Sequence, residues 1–145
     1  MSISIKLSDA QIRFISLFEN ITGAVARDCI VDDESERIIF IVKPGNIGLA
    51  IGKGGINIKR VREFLNKDID VVEYASTEER FIQNTLSPAK IKSVAIQEKR
   101  DGRRIALVSV DNKDRGIAIG KNGRNVARAR LLAKRHYNID DVIIN

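Results

Sequence analysis

"GLAIGKGGINIKR" (Gly48–Arg60) and "GIAIGKNGRNVAR" (Gly116–Arg128) decide how this chain is read. Aligned without a gap, they are identical at eight of thirteen positions, the pairs that begin at Gly48, Ala50, Ile51, Gly52, Lys53, Gly55, Asn57 and Arg60. Eight of the ten glycines fall within 45–55 or 116–123. Glycine is therefore used here for backbone geometry, and the chain repeats one unit.

The flanks repeat in outline. In the first copy Ser8 can cap a helix, with Gln11 completing a capping box. Ile12, Ile15, Leu17 and Phe18 supply a helical stripe, and Gly23 is a stop. Strands are expected over 26–31 and 37–43, joined by the acidic turn Asp32-Asp33-Glu34-Ser35. A short helix ending at Ile51, the glycine turn, a helix over 56–66 with core residues Ile58, Val61 and Leu65, and the strand "IDVVEY" complete the unit. The second copy runs from the helix "TEERFIQNTLSP" through strands "KIKSVAIQEK" and "RIALVSV", joined at Asp101-Gly102. A short helix, the second glycine turn, a helix over 124–135 and the strand "DDVII" follow. Two domains are expected, 1–76 and 77–145, held rigidly by the short polar link "ASTEER".

A G-x-x-G turn between two helices offers phosphate a specific place. Glycine permits positive φ and leaves room for a ligand, while the following helix presents free N–H groups and the positive end of its dipole. Lys53 and Lys121 stand at the first variable position, and Gly54 and Asn122 at the second. The sequence holds its own control: Gly45-Asn46-Ile47-Gly48 is also G-x-x-G, but it has no lysine and no counterpart, so it reads as a plain turn. A Walker loop fails twice in each copy, because Ile47 and Arg115 stand where its first glycine belongs and Gly54 and Asn122 where its Ser or Thr belongs. A dinucleotide fingerprint from Gly52 fails at Asn57.

Composition agrees with a folded polyanion binder. The 145 residues carry a net charge of +6, and 43% are hydrophobic. Residues 1–75 hold 10 Lys/Arg and 11 Asp/Glu, whereas residues 76–145 hold 15 and 8. The basic excess thus belongs to the second half, where it draws polyanions such as nucleic acid. No run reaches the roughly 18 apolar residues a membrane span needs, and no apolar segment follows a basic start. With one cysteine, no intramolecular disulfide is possible, which suits a reducing, cytoplasmic setting. Cys29 reads as core, and His136 as a helix C-terminal cap. One histidine and one cysteine supply neither a His/Cys metal cluster nor a Cys–His pair, so no enzyme, cofactor or metal is expected.

The I-G-x-x-G turn between helices resembles the KH domain, an RNA-binding module. The leading helix and two strands ahead of the turn resemble its type II form. Two such units closing on "ARLLAKRHYNIDDVII" resemble the archaeal NusA-like transcription factors, over about Lys6 to Ile144. The resemblance implies an α+β (α/β) fold of two tandem type II KH domains, each a three-stranded mixed sheet with helices on one face. It implies a monomeric, single-stranded-RNA-binding factor of transcription termination or antitermination, with RNA polymerase as a further partner. Bacterial NusA also carries a polymerase-binding N-terminal domain and an S1 domain, for which this chain has no room. The other reading is a KH-type protein of ribosome assembly or RNA processing.

RNA is then expected across Gly52, Lys53, Gly54 and Gly55, and across Gly120, Lys121, Asn122 and Gly123. Ile51, Ile58, Ile119 and Val126 are the expected apolar floor under the bases. Lys59, Arg60, Arg124 and Arg128 are expected to reach phosphates. The few aromatics sit in apolar patterns, so base reading is expected from hydrogen bonds and van der Waals contact rather than from stacking.

Overall fold

The computed structural model describes residues 4–145. Residues 1–3, with which the expected first domain begins, lie outside the described residues. The chain divides into two compact units, one spanning Lys6–Tyr74 and the other containing Ala75–Asn145. Each has the same order of elements.

The first unit begins with helix α1 (Asp9–Thr22). Ser8 and Gln11 form the expected box: the Gln11 amide donates to Ser8 Oγ at 3.1 Å and the Ser8 amide to Gln11 Oε1 at 2.8 Å. Gly23, at φ 77°, ends the helix in a left-handed cap. The expected apolar stripe holds at Ile15 and Phe18, with Leu17 half-buried, and fails at Ile12. Ile15 and Phe18 are buried and Phe14 and Ile21 pack beside them, while Ile12 is 50% exposed. Strands β1 (Ala26–Asp32) and β2 (Arg37–Val42) pair antiparallel. After helices α2 (Ile47–Ile51) and α3 (Ile56–Leu65), strand β3 (Asp68–Glu73) lies parallel to β2, with Arg37 opposite Asp68. Ile38, Phe40 and Val42 alternate toward the helices and meet Ile15, Phe18, Ala50 and Val61. The Phe18 and Phe40 rings stack with centroids 4.2 Å apart.

The second unit is built likewise from α4 (Glu78–Thr85), β4 (Ile91–Glu98), β5 (Arg104–Val110), α5 (Asn112–Ile119), α6 (Arg124–Tyr137) and β6 (Asp141–Ile144). Its sheet order is again β4-β5-β6, antiparallel then parallel. Ala106, Val108 and Val110 pack with Ile82, Leu86, Ala118, Ala129 and Ala133. The fold is therefore the expected pair of three-stranded mixed sheets with packed helices. Lengths differ between copies: the leading helix falls from 14 residues to 8, and the helix after the glycine turn grows from 10 to 14. No helix among the described residues is long and apolar enough to cross a membrane.

In both units the middle strand starts with an arginine held by carboxylates. Arg37, 1% exposed, bonds Asp32 Oδ2 at 3.3 Å and Asp70 Oδ2 at 2.8 Å. Arg104 bonds Glu78 Oε1 at 2.6 Å and the Tyr137 carbonyl at 2.7 Å. These clamps tie the hairpin end of each sheet to its neighbours. Burying a guanidinium is tolerable only with such partners.

Candidate nucleic-acid interface

The two glycine turns have nearly the same backbone. Gly52 sits at φ 77°, ψ 168° and Gly120 at φ 79°, ψ 167°, a region that essentially only glycine occupies. A Cβ on Gly52 would lie 2.8 Å from the Asn57 side chain and 2.9 Å from its backbone nitrogen; on Gly120 it would lie 2.8 Å from the Asn125 nitrogen. The first glycine is thus required twice over, by dihedral and by contact. Gly54 (φ 65°) and Asn122 (φ 58°) are both left-handed, which explains why the second variable position holds glycine or asparagine. Gly55 (φ 79°) and Gly123 (φ 75°) open the next helix from the same region.

Asn57 and Asn125 explain another identity in the repeat. The Asn57 Nδ2 donates to the Leu49 carbonyl at 2.8 Å, and the Asn125 Nδ2 to the Ile117 carbonyl at 2.8 Å. Each satisfies a carbonyl near the end of the preceding helix and so pins the two helices across the turn. The sequence marked this position by its identity in both copies, but the side chain's task depends on the fold.

The sequence-expected residues gather around these turns unequally. Lys53, Gly54, Lys121 and Asn122 are exposed, as are Lys59 and Arg60. Among the described residues no ion pair holds Lys53 or Lys121. Ile51 is 40% exposed, Ile58 and Ile119 are half-buried, and Val126 is buried, so the apolar floor is most open at Ile51. Arg124 is half-buried and already engaged within the protein.

Arg128 contradicts the expectation that it reaches phosphates. It is buried, with its Nε and Nη2 bonding the Thr85 carbonyl at 3.0 and 2.9 Å and Nη2 also the Ser87 carbonyl at 2.9 Å. Its guanidinium satisfies the C-terminal carbonyls of α4. In the first unit the left-handed glycine after α1 closes the helix instead, and Arg60 stays in solvent. His136 lies in the last turn of α6, as expected of a C-terminal basic residue. Its ring tilts against Phe81 at 5.3 Å, and left-handed Asn138 closes α6. The control turn behaves as read: Gly45 N–H donates to Glu73 Oε2 at 2.8 Å and Asn46 Oδ1 accepts from Val25 N–H at 2.8 Å. Both groups are spent on the strand-to-helix connection.

A model of the KH domain matches residues 13–78, and a model of the NusA-like second KH domain matches residues 78–144. The probable transcription termination protein NusA of Halococcus morrhuae is 43% identical over 138 residues, which cover 95% of this chain and 96% of that one. The chain belongs to the archaeal NusA-like family of tandem KH proteins. A protein of the same name from Methanocaldococcus jannaschii is 36% identical over 139 residues, covering 95% of this chain and 74% of that one. The crystal structure of APE1850 shares 43% identity with a TM-score of 0.87, covering 96% of this chain and all of that one. For this NusA-like chain, the family and the repeated turns rest on independent observations: one on the whole sequence, the other on local backbone.

Proposed function

We propose that the chain is a NusA-type transcription termination or antitermination factor that grips single-stranded RNA at Gly52–Gly55 and Gly120–Gly123. The observation that carries this is the duplicated turn. Two turns share one backbone, each pinned by asparagine and each exposing a lysine among the described residues free of any ion pair. A KH turn clamps the backbone of about four nucleotides, and the N-terminus of the following helix favours phosphate oxygens. Lys53 and Lys121 add charge contacts that weaken as salt rises. Bases lie toward Ile51 and Ile58 in one unit and Ile119 in the other. Arg128 contributes by holding the end of α4 rather than by meeting RNA.

One strand engaging both turns gains affinity through effective concentration. The chain works in this role as a monomer beside RNA polymerase. Crosslinking in cell extract followed by sequencing of the bound RNA tests the reading. Nascent transcripts are the expected result. Recovery of mature ribosomal RNA alone would move the chain to ribosome assembly or RNA processing.

A further inference from the structure

The two hairpins at the far end of each sheet have opposite charge. The first joins β1 to β2 through Asp33-Glu34-Ser35-Glu36, with three carboxylates and no cation. The second joins β4 to β5 through Lys99-Arg100-Asp101-Gly102-Arg103, with three cations and one carboxylate. The second tip is an ordered turn: the Lys99 amide bonds the Arg103 carbonyl at 2.7 Å, and the Gly102 amide bonds the Lys99 carbonyl at 3.0 Å. Arg103 is spent on Asp101 at 3.0 Å, whereas Lys99 and Arg100 are exposed with no side-chain partner among the described residues.

The topology places this tip relative to the glycine turn. Helix α6 leaves the turn at Arg124 and ends at Tyr137, whose carbonyl accepts from Arg104, the residue next to the tip. Turn and tip therefore stand at opposite ends of a 14-residue helix, about 21 Å apart along its axis. Lys134 and Arg135 lie in the last turn of the same helix. Lys134 is paired with Asp140 at 2.8 Å, so the exposed positive charge at this end of α6 that has no side-chain partner among the described residues is that of Lys99 and Arg100. The first unit carries Asp33, Glu34 and Glu36 at the corresponding end, where Asp70 of β3 is paired with Arg37.

We propose that Lys99 and Arg100 form a second phosphate contact for single-stranded RNA, extending the path of the second unit beyond its glycine turn. The inference rests on the RNA-clamp reading above. RNA leaving the turn along α6 meets this tip only when it is longer than the clamped segment. The acidic tip of the first unit repels a strand at the equivalent place, so the two units take footprints of different length.

The test uses the full chain, fluorescence anisotropy, and two unstructured RNAs: one of about four nucleotides and one about three times as long. K99S/R100S should bind the short RNA like the parent protein. It should bind the long RNA on the order of tenfold more weakly, with a log–log salt slope shallower by about 1.4, or about 0.7 for each lost phosphate contact. A thermal melt equal to the parent's shows that the fold is intact. Equal loss on both RNAs, or no loss on the long one, overturns the extension. K121D/N122D separates the two readings. If it loses both RNAs while K99S/R100S loses neither, the clamp stands and the extension falls. If it loses neither, the clamp at Gly120–Gly123 is wrong.

Discussion

Arg60 and Arg128 occupy the same place in the repeat and live in different worlds. One is exposed on α3; the other is buried under the end of α4 with three bonds to main-chain carbonyls. The cause lies in the neighbouring helix. The first unit ends α1 with a left-handed glycine, whereas the second has a shorter α4 whose final carbonyls need an outside donor. Duplication therefore copied the backbone rules of the turn more faithfully than the work of its side chains. The sharpest way to break this comparison is to remove both arginines separately. R128M should cost about 3 kcal/mol, because it leaves buried carbonyls without their donor. R60M should stay within about 0.5 kcal/mol, as exposed substitutions do. Denaturant melts of the two variants check this; equal costs would mean that the Arg128 bonds contribute nothing.

Within the turn the comparison is between first and last glycine. G120A should destabilise the second unit by about 2 kcal/mol, since a Cβ enters a glycine-only region and lies 2.8 Å from the Asn125 backbone nitrogen. G123A faces only the left-handed dihedral, with Val126 at an ordinary 3.9 Å, and should cost about 1 kcal/mol. Hydrogen exchange of α5 and α6 amides measures both. Equal or reversed costs would show that neither the glycine-only dihedral nor the close approach to asparagine at Gly120 sets the cost.

For RNA the two units should separate by charge. K121D/N122D should weaken binding on the order of tenfold more than K53D/G54D at one fixed salt concentration, because the basic excess belongs to the half of the chain that holds the second turn. Gly54 and Asn122 share left-handed dihedrals that Asp tolerates, so neither double variant should disrupt the turn. Equal or reversed affinities in a titration would sink the ranking.

The element order was legible because the repeat states it twice, with helix caps and turn residues at matching places. Ser8, Gln11, Gly23 and Gly102 act locally, so their neighbours in sequence suffice to read them. The bond from Arg37 to Asp70, the clamp at Arg104 and the burial of Arg128 join residues far apart in the chain. Arg128 bonds carbonyls 41 and 43 positions away, and Arg37 meets Asp70 across 33. No window of sequence carries such pairings. Ile12 misled for a related reason, since helical spacing offers two adjacent stripes and only packing against the sheet selects one.

The smallest expected effect separates the units by acid. Burial alone would raise the Asp32 carboxyl, but hydrogen bonds from Ser35 and Arg37, with the charge of Arg37, outweigh it and hold the group below its ordinary 3.8. A folded value lower than the unfolded one means that the contribution is present above pH 3.8 and is lost as pH falls through the folded value. Arg37 is 1% exposed, so protonating Asp32 strips one partner from a buried cation. The second unit's clamp shifts the other way. The hydrogen bond to Glu78 raises the Arg104 guanidinium above its ordinary value, so its own titration removes stability only at extreme alkaline pH. Below pH 4, β1 and β2 amides should therefore lose about 1 kcal/mol of exchange protection that D32N never had. Parallel acid curves for the parent chain and D32N would show that Asp32 does not hold Arg37, and the first clamp would then rest on Asp70.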